Sequence, residues 1–200
     1  MKKYVFAALA AAVVALTAPA LAQQAAGGGG GDLWSHQINT ATAGTWNLQP
    51  NRPRPTFVTD PNVPGGGGSA LRVRVTAKGA NPWDMQVSSP IAGAIKRGDV
   101  VLFMYYARAE TPAEGGSVLP TRIQINAAPY TAVLESTEHV TGAWAQHCAY
   151  ATAAADFAAS STNISVHLAT APQVIDFGPV FVFDLGPNFD TSTLPNCNND

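Results

Sequence analysis

The feature that most constrains this chain is a repeated alternation of apolar and polar residues in short segments, broken by glycine and proline. Leu71, Val73 and Val75 alternate with Arg72, Arg74 and Thr76, and Ile164, Val166 and Leu168 alternate with Ser165, His167 and Ala169. A period of two sends successive side chains to opposite faces of an extended backbone, so each segment reads as a strand with one face buried. Ile123 and Ile125 repeat the pattern against Arg122, Gln124 and Asn126. Val100 to Ala107 and Val180 to Leu185 are almost wholly apolar and read as strands covered on both faces. Segments around Trp46, Phe57, Val133 and Cys148 bring the expectation to about eight to ten strands, the pattern of a single all-β sandwich. The one helix-like composition, Ala149 to Ala159, lacks an amphipathic stripe and reads as strand plus loop.

Composition agrees with that reading. Of 200 residues only 12% are charged, about half the usual roughly 25%. The 18 glycines and 15 prolines suit turns between strands better than salt-bridged helices. The net charge of -2, with Lys and Arg scattered, leaves no basic patch for nucleic acid or an anionic membrane surface.

The organisation is expected in three parts. Residues 1–22 read as a secretory signal peptide: Lys2 and Lys3, an apolar run from Val5 to Leu16, and Ala20-Leu21-Ala22 as the cleavage site. Residues 23–31 form a flexible Gly-rich leader, and residues 32–200 form the sandwich domain. Without Lys2 and Lys3 of the signal peptide the count is 9 basic against 13 acidic residues, or -4. No later segment reaches the about 20 apolar residues of a membrane span, so a secreted or periplasmic protein is expected. Gly65 to Ser69 reads as a loop between strands, since no Lys-Ser/Thr pair follows it as in a phosphate-binding loop. In an oxidising compartment Cys148 and Cys197 have only each other as intramolecular partners, which predicts a disulfide; the alternative is a simply buried Cys148.

The order of segments adds a resemblance. Asn81-Pro82-Trp83-Asp84-Met85-Gln86, Lys96-Arg97-Gly98-Asp99-Val100-Val101, the aromatic strand ending Tyr105-Tyr106-Ala107-Arg108, Pro129-Tyr130-Thr131, Trp144 and Gln173-Val174-Ile175-Asp176-Phe177-Gly178 follow one another. This set, spanning roughly Leu33 to Pro195, resembles carbohydrate-binding modules of the family 4, 9 and 22 type, found beside bacterial family-10 xylanase domains. The resemblance implies a galactose-binding-like jelly roll that binds β-glycan or xylan without catalysis, with a polysaccharide or oligosaccharide as partner and a secreted glycanase as the enzyme assisted. It also raises a structural calcium, although Gly178-Pro179-Val180 stands where the family carries a carboxylate pair. Asp176, Asp184 and backbone carbonyls would have to supply the ligands; no other cofactor is expected.

Sugars present apolar C–H faces and many hydroxyls, so their sites combine aromatic platforms with amides and guanidinium groups. The candidate ligand-binding residues on that ground are Trp83, Tyr106, Arg108, Gln124, Asn126, Tyr130, His167 and Gln173. Strand parity puts Met104, Tyr106 and Arg108 on one face, expected to be the open one because an unpaired arginine is not readily buried. Each candidate has a structural alternative: Trp83 as a cap on the core, Arg108 as a partner of Asp84 or Glu110, Gln173 as a support for loop amides. Trp46 and Trp144 read as core. His36, His139, His147 and His167 show no metal-ligand spacing.

Catalysis finds little support. Gly-x-Ser-x-Gly is absent, and Gly30-Gly31-Asp32-Leu33 lacks the serine of a Gly-Asp-Ser hydrolase. Glu110, Glu114, Glu135 and Glu138 fall in turns or near strand ends rather than in settings that would raise a carboxyl pKa. Two readings stand behind glycan binding: a surface or periplasmic protein-interaction module on the same fold and, behind that, a small hydrolase or esterase.

Overall fold

The computed structural model describes residues 33–49, 55–65, 67–112, 115–194 and 197; the expected signal peptide and leader lie outside them. Among the described residues ten strands run β1 Asn47–Leu48, β2 Thr56–Thr59, β3 Ser69–Val75, β4 Gln86–Ile91, β5 Asp99–Thr111, β6 Ser117–Ile125, β7 Ala132–Val140, β8 Ala145–Thr152, β9 Thr162–His167 and β10 Gln173–Pro187. They form two five-stranded sheets, a front sheet ordered β1-β4-β9-β6-β7 and a back sheet ordered β2-β3-β10-β5-β8. Every pairing is antiparallel. The alanine-rich stretch is strand to Thr152 and loop beyond, as its lack of a helical stripe implies.

The alternating residues decide which faces meet. Leu71, Val73 and Val75 of β3, Phe103, Tyr105 and Ala107 of β5 and Phe177, Val180 and Val182 of β10 face Val87, Ile91, Leu119, Ile123, Ile164 and Val166 of the front sheet in one continuous core. Burying side chains of this size contributes roughly 1.5–3 kcal/mol each. On β10 a bulge between Phe177 and Val180 shifts the register by one residue, so the strand keeps apolar side chains inward on both sides of it. Pro179 fits there because a bulge relieves it of a ladder hydrogen bond. Gly178 has little room for a side chain: a Cβ would lie 3.0 Å from Val63 and 3.2 Å from Tyr106, so those neighbours would have to give. Its carbonyl accepts a hydrogen bond from Trp46 Nε1 at 2.9 Å, and Trp46 is buried as expected.

Polar groups also lie inside the sandwich. The Tyr105 hydroxyl meets Thr121 Oγ1 at 3.1 Å. Fully buried Glu138 accepts from Ser136 and stands 3.6 Å from His147 Nδ1.

The outer face of the back sheet corrects one expectation. Val100, Leu102 and Met104 of β5 and Phe181, Phe183 and Leu185 of β10 form a second apolar cluster, with Leu33 packed on it from before β1 and Phe189, Leu194 and Cys197 from after β10. The Trp34 ring stands edge-on to Phe181 and Phe183, with centroids 5.2 and 5.6 Å away. The Met104 side of this face is therefore covered rather than open. Cys148 and Cys197 are joined in a disulfide that ties the chain after β10 to β8.

Candidate ligand-binding face

The outer face of the front sheet is built from the polar half of each alternating strand. Cross-strand pairing sets Asn47, Ser88, Ser165, Arg122 and Glu135 in one row across all five strands. A second row, one pleat along, holds Pro90, Asn163, Gln124 and Ala132, and Gln86 stands beside His167 toward the other end. Arg122 makes an ion pair with Glu135, and Ser165 Oγ donates to Gln86 Oε1 at 2.9 Å.

Trp83 closes the His167 end. It lies on a single 3₁₀ turn, Pro82–Asp84, in which proline at the first position suits the turn. The Asn81 N–H donates to Asp84 Oδ2 at 2.8 Å, and the N–H groups of Leu168 and Ala169 donate to the carbonyls of Met85 and Pro82, pinning the turn to the chain leaving β9. The indole is 52% exposed and stands edge-on to the His167 ring, centroids 6.1 Å apart. Burial first, and then the charge of Arg122, holds the His167 pKa below its ordinary 6.5, with Glu135 opposing. His167 is thus neutral at neutral pH, with a ring that can both donate and accept.

Three buried atoms on this face have no hydrogen-bond partner: Arg122 Nε, Gln124 Oε1 and Asn163 Oδ1. Gln124 and Asn163 are direct cross-strand partners. An unmet buried polar group costs about 1–3 kcal/mol, and three side by side mark a surface whose partners come from elsewhere.

The other candidates distribute unevenly. Asn126 lies just past β6, at the Gln124 end, and donates to the Ser160 carbonyl at 3.2 Å. Tyr130, half-exposed with φ +57°, sits in the β6–β7 loop at that same end. Gln173 is buried and donates to the Leu168 carbonyl and to Thr170 Oγ1, bracing the β9–β10 turn. Tyr106 and Arg108 are on the opposite sheet, so these two candidates do not share a face with Gln124 and Trp83. The reason is connectivity: β5 pairs with β8 and β10, and β6 with β7 and β9.

Arg108 there is committed to a charge network. Its Nε donates to Asp176 Oδ2 at 3.0 Å, its other nitrogens meet Asp60 at 3.2 Å and Glu110 at 3.4 Å, and it stacks over Trp144 at 5.1 Å. Arg72 grips the fully buried Asp176 through two bonds of 2.7 and 2.8 Å, which raises the Arg72 pKa further. The Trp144 Nε1–H donates to Asp60 Oδ2 at 3.0 Å, the leading cause of that carboxyl's lowered pKa. Half-buried Trp144 thus belongs to this network rather than to the core, and Glu110 rather than Asp84 pairs with Arg108. Tyr106 donates to Gln146 Oε1 at 3.3 Å.

Of the residues considered for calcium, Asp176 is already committed. Both Asp176 oxygens accept from guanidinium groups, and among the described residues no three His, Cys, Asp or Glu side chains gather at one place.

Residue selection by type overlooked Gln86, Arg122, Glu135, Asn163 and Ser165. The signal was available: they share strand parity with Gln124 and His167 or pair directly across from them.

No family profile matches the sequence, and no curated protein matches it. Solved structures do. An arabinose-bound α-L-arabinofuranosidase matches with TM-score 0.53 and 18% identity over 84% of this chain and 28% of its own. The Clostridium thermocellum endo-1,4-β-D-xylanase 10B, as family-22 carbohydrate-binding and family-10 catalytic modules complexed with xylohexaose, matches with TM-score 0.51 and 13% identity over 78% of this chain and 29% of its own. A carbohydrate-binding module of family 4 matches at 0.49 and 20% identity over 70% of this chain and 92% of its own. This chain thus spans under a third of each of these two enzymes. At these identities the likeness to the two enzymes shows the fold alone, a jelly-roll β-sandwich.

Proposed function

We infer that this protein is an exported, non-catalytic carbohydrate-binding module, and that the front-sheet face takes a β-linked polysaccharide such as xylan. The observation that carries the reading is that face itself: an exposed tryptophan seated on a neutral histidine, next to rows of amides, hydroxyls and one arginine that leave buried polar atoms unpartnered. One ring of a sugar chain can stack on Trp83 and exchange hydrogen bonds with Gln86 and His167, while the hydroxyls of following units reach Arg122 and Gln124. Each such bond replaces one to water and contributes only about 0.5–1.5 kcal/mol, so the affinity expected is modest.

The acidic residues favour binding over hydrolysis. Glu110 is paired with Arg72 and Arg108, Glu135 with Arg122, and Glu138 is sealed in the core. The disulfide suits an oxidising compartment, and among the described residues no helix is long and apolar enough to cross a membrane.

The test is affinity electrophoresis through gels containing soluble xylan or mixed-linkage β-glucan. Wild type is retarded; Trp83→Ala migrates freely with an unchanged circular dichroism spectrum, and Tyr106→Ala, altered on the other sheet, is retarded like wild type. Free migration of wild type across all β-glycans overturns the reading.

A further inference from the structure

On the reading that this face binds glycan, we propose that Gln124 and Asn163 form a subsite for a pair of free hydroxyls on one sugar unit, so that the protein selects unsubstituted stretches of a neutral polysaccharide. Gln124 is 4% exposed. Its Oε1 and Asn163 Oδ1, on directly paired residues of neighbouring strands, are both buried acceptors with no donor. Paired residues on one face have Cβ atoms about 4.5–5.5 Å apart, so the two amides address one small region. Two acceptors side by side require two donors. Neighbouring hydroxyls supply them, because each O–H can point its proton at a different oxygen.

Arg122 lies one pleat along the same strand, about 7 Å from Gln124 at Cα. Its Nη2 pairs with Glu135 while its Nε lacks a partner, so the third requirement is an acceptor oxygen, which a sugar ring or glycosidic oxygen meets. The pattern thus asks for two donors and, a step away, one acceptor.

Burial of the acceptors sets the selectivity. They lie below the surface, and a small rotation about the broad terminal torsions of Asn and Gln uncovers them to a narrow group. A bare hydroxyl can follow them down. An acetylated or glycosylated oxygen has lost its proton and carries bulk, so it leaves both acceptors unmet. A uronate is disfavoured too, since its carboxylate would face two carbonyl oxygens while the nearby guanidinium is already neutralised by Glu135.

The experiment titrates the full chain against acetylated xylan and the same xylan after alkaline deacetylation. Deacetylation is expected to tighten wild-type binding at least about tenfold. Asn163→Ala and Gln124→Met are expected to lose affinity for deacetylated xylan and bind both forms alike, whereas Trp83→Ala weakens both in parallel. A second readout needs no ligand: Gln124→Met removes an unmet buried acceptor, so its melting temperature should equal or exceed that of wild type while its affinity falls. Equal wild-type affinity for the two xylans, or a preserved preference in both amide variants, overturns the subsite but leaves glycan binding standing. A lower melting temperature for Gln124→Met overturns it as well. Absence of wild-type binding to either form overturns the subsite and the underlying function together.

Discussion

The Trp83 indole stands edge-on to the His167 imidazole, with ring centroids 6.1 Å apart and planes at 68°. One ring sits on an exposed turn and the other is buried at the end of β9, so the platform is supported by a titratable group. Burial and then Arg122 hold the His167 pKa below 6.5. The unfolded chain therefore binds the proton more readily, and the contribution of His167 to stability falls as pH drops below about 6.5 toward the folded-state pKa. Melting curves between pH 7.5 and pH 5 should show a smaller acid-induced loss for His167→Gln than for wild type. An identical loss in both proteins would refute this coupling.

Asp176 is the hub of the back-sheet network, accepting from Arg72 and Arg108 while fully buried. Asp176→Ala strands two guanidinium groups, each about a quarter exposed. Because they can turn partly to water and Glu110, the expected loss in urea unfolding is about 2–3 kcal/mol, below the 3–5 of a fully sealed pair. Retardation by xylan should persist, since this network lies on the opposite sheet from the proposed site.

Tyr105 tests how the core divides its stabilisation between bulk and hydrogen bonding. Its ring packs with Phe103 and Phe177, and its hydroxyl meets Thr121, which also donates to the Leu119 carbonyl. Tyr105→Phe should cost about 0.5–1.5 kcal/mol, because Thr121 retains a partner. Tyr105→Ala should cost about 3–5 kcal/mol through the cavity it leaves. Equal losses for the two variants would contradict this division.

The disulfide closes a loop with a sequence separation of 49 residues and holds the chain after β10 near the outer apolar cluster. The Cys148→Ser/Cys197→Ser variant should lose about 2–4 kcal/mol. It should also bind a hydrophobic dye more strongly than wild type, as the cover of Leu102 and Phe183 loosens. Unchanged stability on reduction would show that packing alone retains this segment.

Period-two alternation, with two continuous apolar runs, was enough to derive the sandwich, most of its strands and the parity of β3, β6 and β9, because a strand with one wet face must write its burial into every second residue; β4, Gln86–Ile91, was not among them. The expectation of an oxidising compartment, together with the cysteine count, likewise predicted the Cys148–Cys197 pairing. The sequence alone marked Trp83, Gln124, Asn126 and His167 as candidates, and parity on β6 and β9 put Gln124 and His167 opposite the apolar set. It could not say which strands share a sheet. The partners of β5 are β8 and β10, far along the chain, and that choice carries Tyr106 and Arg108 to the back and leaves Arg122 beside Ser165 and Glu135 at the front. Nor could parity reveal that Leu33, Trp34, Phe189 and Leu194 cover the outer face of β5 and β10, or that Asp60, Glu110 and Asp176 converge on Arg108. Alternation encodes a residue's own burial, whereas sheet order and long-range covering depend on the combined packing of segments that are distant in sequence, and these only the tertiary structure decides.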